Sequence, residues 1–152
     1  MLLALLGLLA ACTNGGPVPV EVDLTTTNAE AAALIRELRS AAEADSQDAD
    51  KRGELGLALE ANGMPKAALQ TYLEAESLAP NDPRWSYFAA VTSAQVSELD
   101  TALAVLDRFL AIDDAYVPAY LYRGAWLLDL GRVDDAQSAY ERATRLQPWP
   151  GP

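Results

Sequence analysis

The chain has 152 residues, 51% of them hydrophobic, and a formal net charge of −11 with no histidine. This length favours one domain, the apolar fraction excludes disorder as the main state, and the negative charge argues against a nucleic-acid partner. The lack of histidine removes the commonest general base and metal ligand, and a single cysteine, Cys12, excludes an intrachain disulfide, so neither an enzyme nor a cofactor or metal site is predicted.

An uncharged apolar run, Met1 to Ala11, opens the chain. As a helix it would rise about 16 Å, roughly half of a bilayer core, so it is too short for a permanent span and is typical of a signal-peptide core. Its end, Leu9-Ala10-Ala11-Cys12, resembles the lipobox of bacterial lipoproteins. That resemblance implies cleavage before Cys12, a diacylglycerol on its thiol, and a place in the bacterial cell envelope, at the outer membrane rather than the inner. The alternative is a buried apolar segment with an incidental cysteine, and the missing Lys or Arg before the run leaves room for a start upstream.

Residues 12–27 are rich in Gly, Pro and Thr and have no helical period, so they are predicted to form a flexible tether. Fully extended, the part after Cys12 would reach up to about 50 Å from a lipid surface. Val18 to Leu24 alternates weakly between apolar and polar residues, and a strand added to a partner is the alternative interpretation.

The folded part is predicted to span residues 28–150 and to begin with a helix. Thr27 and Glu30 stand three residues apart, as in a capping box, and apolar residues follow at three-four spacing as far as Ala44. This helix, a half-repeat at residues 28–45, is predicted to cover the open face of the first hairpin.

Three helical hairpins are predicted after it, at residues 49–82, 83–116 and 117–150. Gly63 is predicted to end a helix with a positive φ, and Asp82 to cap the helix that Pro83 opens. Landmarks recur every 34 residues, which is the signature of stacked helical hairpins. The repeated columns are Gly56 and Gly124; Ala68, Ala102 and Ala136; Tyr72, Leu106 and Tyr140; and Ala75, Phe109 and Ala143.

This pattern resembles the tetratricopeptide repeat over residues 49–150. The first and third copies carry the family's landmarks, namely Leu55-Gly56, Ala68, Tyr72, Ala75 and Pro80, then Gly124, Leu127, Ala136, Tyr140, Ala143 and Pro148. In the second copy Phe109 replaces the small residue, Asp114 the proline and Ser93 a leucine. The resemblance implies an all-α superhelix, a solenoid of about three hairpins plus one N-terminal helix, that binds a protein or peptide and performs no catalysis.

In this family the first helices of successive hairpins line a groove that holds a peptide or a partner helix. The resemblance therefore implies a groove lined here by Asp50, Leu57, Glu60, Arg84, Tyr87, Val91, Gln95, Leu121, Leu128 and Asp129, with Gly53, Ala61, Ala94, Pro118 and Ala125 among them. Its apolar middle and carboxylate rim favour an amphipathic or extended segment with basic flanks. Gly53 and Leu57 replace the Lys and Asn that clamp a C-terminal carboxylate in chaperone-binding relatives, so a chaperone co-receptor is not expected.

The outer face of the last hairpin is a second candidate surface. Arrays of this family usually end in a further solvating helix, and Pro148-Trp149-Pro150 cannot continue one. The positions predicted to be only partly covered are Leu127, Leu130, Val133, Ala136, Ala139, Tyr140, Ala143 and Leu146. Either Trp149 folds back over them or a partner covers them. A second copy in that place gives the alternative function, a structural subunit that assembles end to end into a filament or larger oligomer.

Two further patterns have structural interpretations. Aromatic residues at helical spacing are predicted to be core rather than a ligand platform, and Tyr87 is the best candidate for a partner contact; the others are Trp85, Phe88, Tyr116, Tyr120, Tyr122 and Trp126. The pairs Asp113-Asp114 and Asp134-Asp135 are predicted to favour helix N-termini rather than to act as catalytic acids.

Overall fold

A computed structural model describes residues 18–147, and within that range every regular element is an α-helix. The helices are α1 (Ala29–Ala44), α2 (Ala49–Ala61), α3 (Pro65–Leu78), α4 (Pro83–Gln95), α5 (Leu99–Ile112), α6 (Val117–Asp129) and α7 (Val133–Leu146). Helices α2–α3, α4–α5 and α6–α7 pair as hairpins, and α1 packs on α2. The predicted solenoid of three hairpins with one helix before them is confirmed.

The three hairpin turns have the same backbone geometry, although one lacks glycine. Gly63 and Gly131 have φ values of 75° and 73°, and Ser97 takes the equivalent place at 66°. In each turn the next residue donates its N–H back into the preceding helix; Glu98, for example, donates to the Ser93 carbonyl at 2.9 Å. Such bonds satisfy carbonyls that the helix end would leave without donors. The turn geometry thus persists in the hairpin whose sequence departs most from the repeat.

Glycine allows the two helices of a hairpin to approach closely. A Cβ placed on Gly56 would lie 2.6 Å from the Tyr72 ring, and one on Gly124 would lie 2.5 Å from the Tyr140 ring. Both distances are too short for non-bonded carbon atoms. The glycine and tyrosine columns of the sequence are therefore a size-matched pair, repeated at 68 residues' separation.

The first helix begins one residue later than its predicted cap. Asn28, not Thr27, is the N-cap of α1, and its Oδ1 accepts from the Ala31 N–H at 2.8 Å. Thr27 instead donates its N–H to the Leu24 carbonyl, which places it in the preceding turn. The predicted cap of α4 is confirmed, since Asp82 Oδ1 accepts from the Arg84 N–H at 3.0 Å.

Residues 18–24 have no regular secondary structure and residues 25–27 form a turn, but the segment lies against the helical body. Val20, Val22 and Leu24 pack on its core, and Glu21 approaches Arg39 of α1 at 3.5 Å. The alternate apolar residues of this segment thus face the helices, and the segment does not form a β-strand. The prediction of a tether that stands free along its whole length is therefore wrong for the part that contains Val20, Val22 and Leu24. These alternate apolar side chains gain burial by packing on the helices.

The outer face of the last hairpin is less apolar than the sequence predicted. Four of the residues predicted to be partly covered are buried between α6 and α7, namely Leu127, Ala136, Ala139 and Ala143. On the outside of α7, Gln137 stands in the column of the buried Leu69 and Leu103, and it donates to Glu141 at 2.9 Å. Helix α7 therefore presents much of the polar surface that a separate solvating helix would supply, and Leu130 and Val133 remain exposed.

Several predictions fall outside the described residues. The apolar run Met1 to Ala11, the proposed lipidation of Cys12 and the position of Trp149 are among them. None of the seven described helices is long and apolar enough to cross a membrane.

Candidate protein-binding groove

The surface predicted from the repeat columns is formed by the first helices of the hairpins, α2, α4 and α6. Three leucines from those columns are exposed: Leu57 on α2 by 41%, Leu121 on α6 by 48% and Leu128 on α6 by 47%. Leucine side chains are usually buried, and several exposed on one surface indicate a place where another molecule packs. Val91 of α4 is half-buried between them in the repeat order.

One end of this surface is held by an ionic contact between successive repeats. Arg84 donates to Asp50 at 2.7 Å, and these two residues occupy the same column 34 positions apart. Arg84 also donates to Asp82, and this hydrogen bond holds the pKa of the Asp82 carboxyl below its ordinary value. The Arg84 guanidinium lies 4.6 Å from the centre of the Trp85 ring. Because Asp50 and Arg84 already bind each other, fewer of their hydrogen-bonding groups remain available to a partner.

Gly53 does not belong to the groove, although its column predicted it. It is buried, and a Cβ at this position would lie 2.0 Å from the Trp85 ring. The large side chain of the next repeat occupies the space above Gly53. The column predicts which way position 53 faces, but not the size of the residue that covers it.

Glu60 has a structural role that the sequence did not reveal. Its carboxylate accepts from the Tyr72 hydroxyl at 2.9 Å and from the Thr92 hydroxyl at 3.4 Å. It thereby joins α2 to both α3 and α4. Burial, followed by the bond to Glu60, raises the pKa of the Tyr72 phenol well above its ordinary value.

Tyr87 lies at the centre of an aromatic cluster, here defined as Tyr87, Phe88, Phe109, Tyr116, Tyr122 and Trp126. Its ring centre is 5.4 Å from that of Phe109 and 5.3 Å from that of Tyr116. Burial and the nearby Tyr116 and Tyr122 hydroxyls raise the pKa of Tyr87 above its ordinary value. Because Tyr87 is half-buried in this cluster, it serves packing first, and its contact with a partner stays a prediction.

The remaining predicted groove residues lie towards the carboxyl ends of the first helices, except for Pro118, which lies in the first turn of α6. Gln95, the last residue of α4, and Asp129, the last residue of α6, are both exposed, as are Ala61 and Ala125. Pro118 and Ala94 are half-buried. The exposed leucines and the polar residues at the helix ends thus all lie on the first helices of the hairpins. Asp50, Glu60 and Arg84 lie on the same helices but make internal contacts.

The two aspartate pairs differ in their outcome. Asp134 and Asp135 lie in the first turn of α7, as predicted. The prediction of a helix N-terminus is wrong for Asp113, which is the C-cap of α5 and accepts from the Ala115 N–H at 3.1 Å, whereas Tyr116 is the N-cap of α6. Across residues 18–147, no three His, Cys, Asp or Glu side chains are grouped in a way that could hold a metal ion.

Two internal features had weaker signals in the sequence. Arg52 is fully buried in α2 and donates to Glu74 of α3 at 3.1 Å. The aromatic cluster was visible only as Phe109 standing where the other repeats have alanine. Both arise from contacts between repeats, which a single column does not display.

Comparisons with known proteins agree with this architecture. The family model of the tetratricopeptide repeat matches residues 52–82 and 118–148. The residues between these matches form the hairpin in which Ser93, Phe109 and Asp114 depart from the pattern. No curated protein sequence matches the chain.

Solved structures with the same fold include MamA. One MamA crystal structure is 22% identical, with a TM-score of 0.73, over 85% of this chain and 77% of that one. MamA from Desulfovibrio magneticus RS-1 is 22% identical, with a TM-score of 0.71, over 79% and 68%. The first repeat domain of Spaghetti (RPAP3), solved with the HSP90 peptide SRMEEVD, is 25% identical, with a TM-score of 0.62, over 68% and 82%.

Proposed function

We propose that this chain, which carries tetratricopeptide repeats, is a non-catalytic interaction module that binds an apolar protein segment along α2, α4 and α6. The exposure of Leu57, Leu121 and Leu128 carries this proposal. A leucine left in water forgoes about 2 kcal/mol of burial free energy, which a partner that covers it can recover.

The chemistry of this surface limits the kind of partner. Its apolar residues suit the hydrophobic side of an amphipathic helix or of an extended segment. The exposed Asp129 and the chain's net charge of −11 favour basic residues beside that apolar side. RPAP3 binds an acidic HSP90 peptide, but Gly53 and Leu57 stand where chaperone-binding relatives have a Lys and an Asn, so a similar acidic tail is not proposed here.

We further propose that the module is held in the bacterial cell envelope by a lipid on Cys12, at the outer membrane rather than the inner. The Leu9-Ala10-Ala11-Cys12 pattern supports this. Mass measurement of the chain, with and without the lipoprotein-peptidase inhibitor globomycin, tests it. A mature chain that carries an unmodified Cys12 thiol would contradict the anchor and leave the groove unaffected.

The partner can be captured from native membranes with the chain as bait, using a groove variant and a matched control. In Leu121→Glu/Leu128→Glu two carboxylates stand on the apolar surface, whereas Ile112→Glu changes an apolar residue of similar exposure on α5. A groove partner should be retained by the wild type and by Ile112→Glu and lost from the double variant. Equal retention by all three chains would contradict a groove on α2, α4 and α6.

Self-assembly is the second candidate function, and exposed apolar residues at both ends of the solenoid favour it. Leu34 of α1 and Val133 of α7 are exposed by 49% and 60%. The polar outer face of α7 favours the interaction module instead. Light scattering across micromolar concentrations distinguishes the two, since a strictly monomeric chain would exclude end-to-end assembly.

A further inference from the structure

A second recess lies on a different side of α6 from the groove. It is a cleft of about 240 Å³, lined by Tyr120, Arg123, Leu127, Arg132, Asp135, Ser138, Ala139 and Arg142, and is here named the arginine cleft. At about 100° per residue, the α6 positions 120, 123 and 127 face about 130° away from the groove positions 121, 125 and 128. The cleft is therefore separate from the proposed protein-binding surface.

One of its arginines occupies a core column of the repeat. The equivalent positions in the first and second hairpins are Leu55 and Ala89, and both are fully buried. Arg123 can occupy this column because α6 approaches α5 at far fewer positions than α4 approaches α3. Its side chain reaches the opening and donates to Asp107 of α5 at 2.6 Å.

The guanidinium groups are not fully used by their present partners. Arg123 and Arg132 each bind one carboxylate, that of Asp107 and Asp135 respectively. Arg142 is held more weakly, since its carboxylate contact to the exposed Asp114 is 3.5 Å long and its guanidinium lies 5.7 Å from the centre of the Tyr120 ring. A guanidinium has five N–H donors, so each arginine keeps donors for a further acceptor.

The cleft gathers arginines in an acidic chain. Its lining residues include three arginines and one aspartate in a protein of net charge −11, and Asp107 and Asp114 pair with Arg123 and Arg142 from outside the lining. Arg132 is also the N-cap of α7, whose first turn has no side-chain cap, so the positive end of that helix lies at the cleft. Guanidinium groups bind carboxylate and phosphate oxygens with two parallel hydrogen bonds.

We propose that the arginine cleft binds an oxyanion, a phosphate or a carboxylate group, independently of the groove. Arg142 is the main donor, because it is the least committed to an internal partner. Arg123 and Arg132 supply further positive charge from the two sides, and Leu127 and Ala139 form the apolar floor.

The test is an NMR titration of the purified full-length chain with inorganic phosphate and, separately, with glutarate, at constant ionic strength. Saturable shifts of arginine side-chain N–H signals are expected, and the salt that gives them at lower concentration identifies the preferred oxyanion. Arg142→Gln should weaken binding about tenfold, the usual effect of removing one charge-assisted hydrogen bond. Arg145→Gln is the matched control, because Arg145 lies on the same helix but outside the cleft and pairs with Glu141.

Binding that survives in Arg145→Gln and weakens in Arg142→Gln supports the site. Absence of saturation with both salts, or equal weakening in the two variants, would overturn it. Circular dichroism melting of each variant shows whether it remains folded, and Arg132→Gln gives a second measurement should Arg142→Gln unfold. Partner capture by the groove does not depend on any of these results.

Discussion

The first and second junctions between hairpins are built on the same columns but with opposite distributions of size. At the first junction, Gly53 lies beneath Trp85. One repeat later the same two positions hold Tyr87 and Ala119, so the large side chain comes from the other hairpin. Helices α3 and α4 approach closely, whereas α5 and α6 do so at only a few positions. Conserved spacing along the chain therefore does not guarantee equal packing.

The additional bulk at the second junction is aromatic. Where the first junction has Ala75 and Asp82, the second has Phe109 and Tyr116, whose ring centres are 5.5 Å apart. Rings in these positions need more room than a methyl group or a carboxylate, and they separate α6 from α5. The separation lets Arg123 reach the opening from a column that is buried elsewhere.

Of the substitutions that test this contrast, removing the Phe109 ring from the second junction should lower the free energy of unfolding the most. Phe109→Ala restores the alanine of the other two hairpins, but Tyr87 and Tyr116 would still hold the junction apart and leave a cavity. The free energy of unfolding, measured by urea denaturation, should fall by about 3–4 kcal/mol. Ile112→Ala, on the exposed side of the same helix, should cost less than about 1 kcal/mol. Equal losses in the two variants would show that the ring does not support the junction.

Adding a methyl group at Gly53 should destabilise the first junction. Gly53→Ala places a Cβ against the Trp85 ring, and overpacking of this kind costs about 2 kcal/mol in the free energy of unfolding. Glu54→Ala, its exposed neighbour, is the control in the same denaturation experiment. The size exchange can be tested directly, because Trp85→Ala should rescue part of the loss caused by Gly53→Tyr. Strictly additive stability losses from Gly53→Tyr and Trp85→Ala would argue against this exchange of size.

Glycine at position 97 should stabilise the middle hairpin. Ser97 has a φ of 66°, a region that costs a residue with a side chain but not glycine. Ser97→Gly matches the turns at Gly63 and Gly131 and should raise the free energy of unfolding by about 0.5–1 kcal/mol. Ser46→Gly, in a loop without positive φ, is the control. A loss of stability in Ser97→Gly would mean that its hydroxyl or reduced unfolded-state freedom outweighs the relief of strain.

The smallest effect concerns alkaline pH. Burial raises the pKa values of Tyr72 and Tyr87 above the ordinary phenol value in the folded chain. A raised phenol pKa stabilises the fold below the unfolded-state pKa of about 10, and that contribution is lost as the pH rises beyond it. Urea midpoints should therefore fall between pH 9 and pH 11, and less steeply in Tyr87→Phe. If the urea midpoint of Tyr87→Phe falls with pH as steeply as that of the wild type, Tyr87 does not contribute to the loss of stability at alkaline pH.

The sequence predicted the parts of the fold that local chemistry determines. Gly63 marked a turn, and Asp82 and Pro83 marked a helix start. Each depends on residues that are near in sequence or joined within one hairpin. Thr27 and Asn28 are both good caps, and the choice between them depended on a turn to Leu24 that no cap pattern encodes.

The candidate site was predictable only in part, because contacts between repeats decide which columns remain open. Leu57, Leu121 and Leu128 are exposed, as groove positions must be, and their contact with a partner stays a prediction. The columns misplaced Gly53, which Trp85 covers, and they did not show that Glu60 binds Tyr72 and Thr92. The polar outer side of α7 was readable in Gln137 and Glu141, since Leu69 and Leu73 stand there in the first hairpin.

The packing of Val20, Val22 and Leu24 on the helices has a consequence for any membrane attachment. With those residues packed on the helices, the segment between Cys12 and the body shortens to the eight steps from Cys12 to Val20, about 26 Å when fully extended rather than 50 Å. A lipid on Cys12 would then keep Val20, and with it the N-terminal end of the solenoid, within about 26 Å of the bilayer. A partner that binds at this end would have to lie close to the membrane.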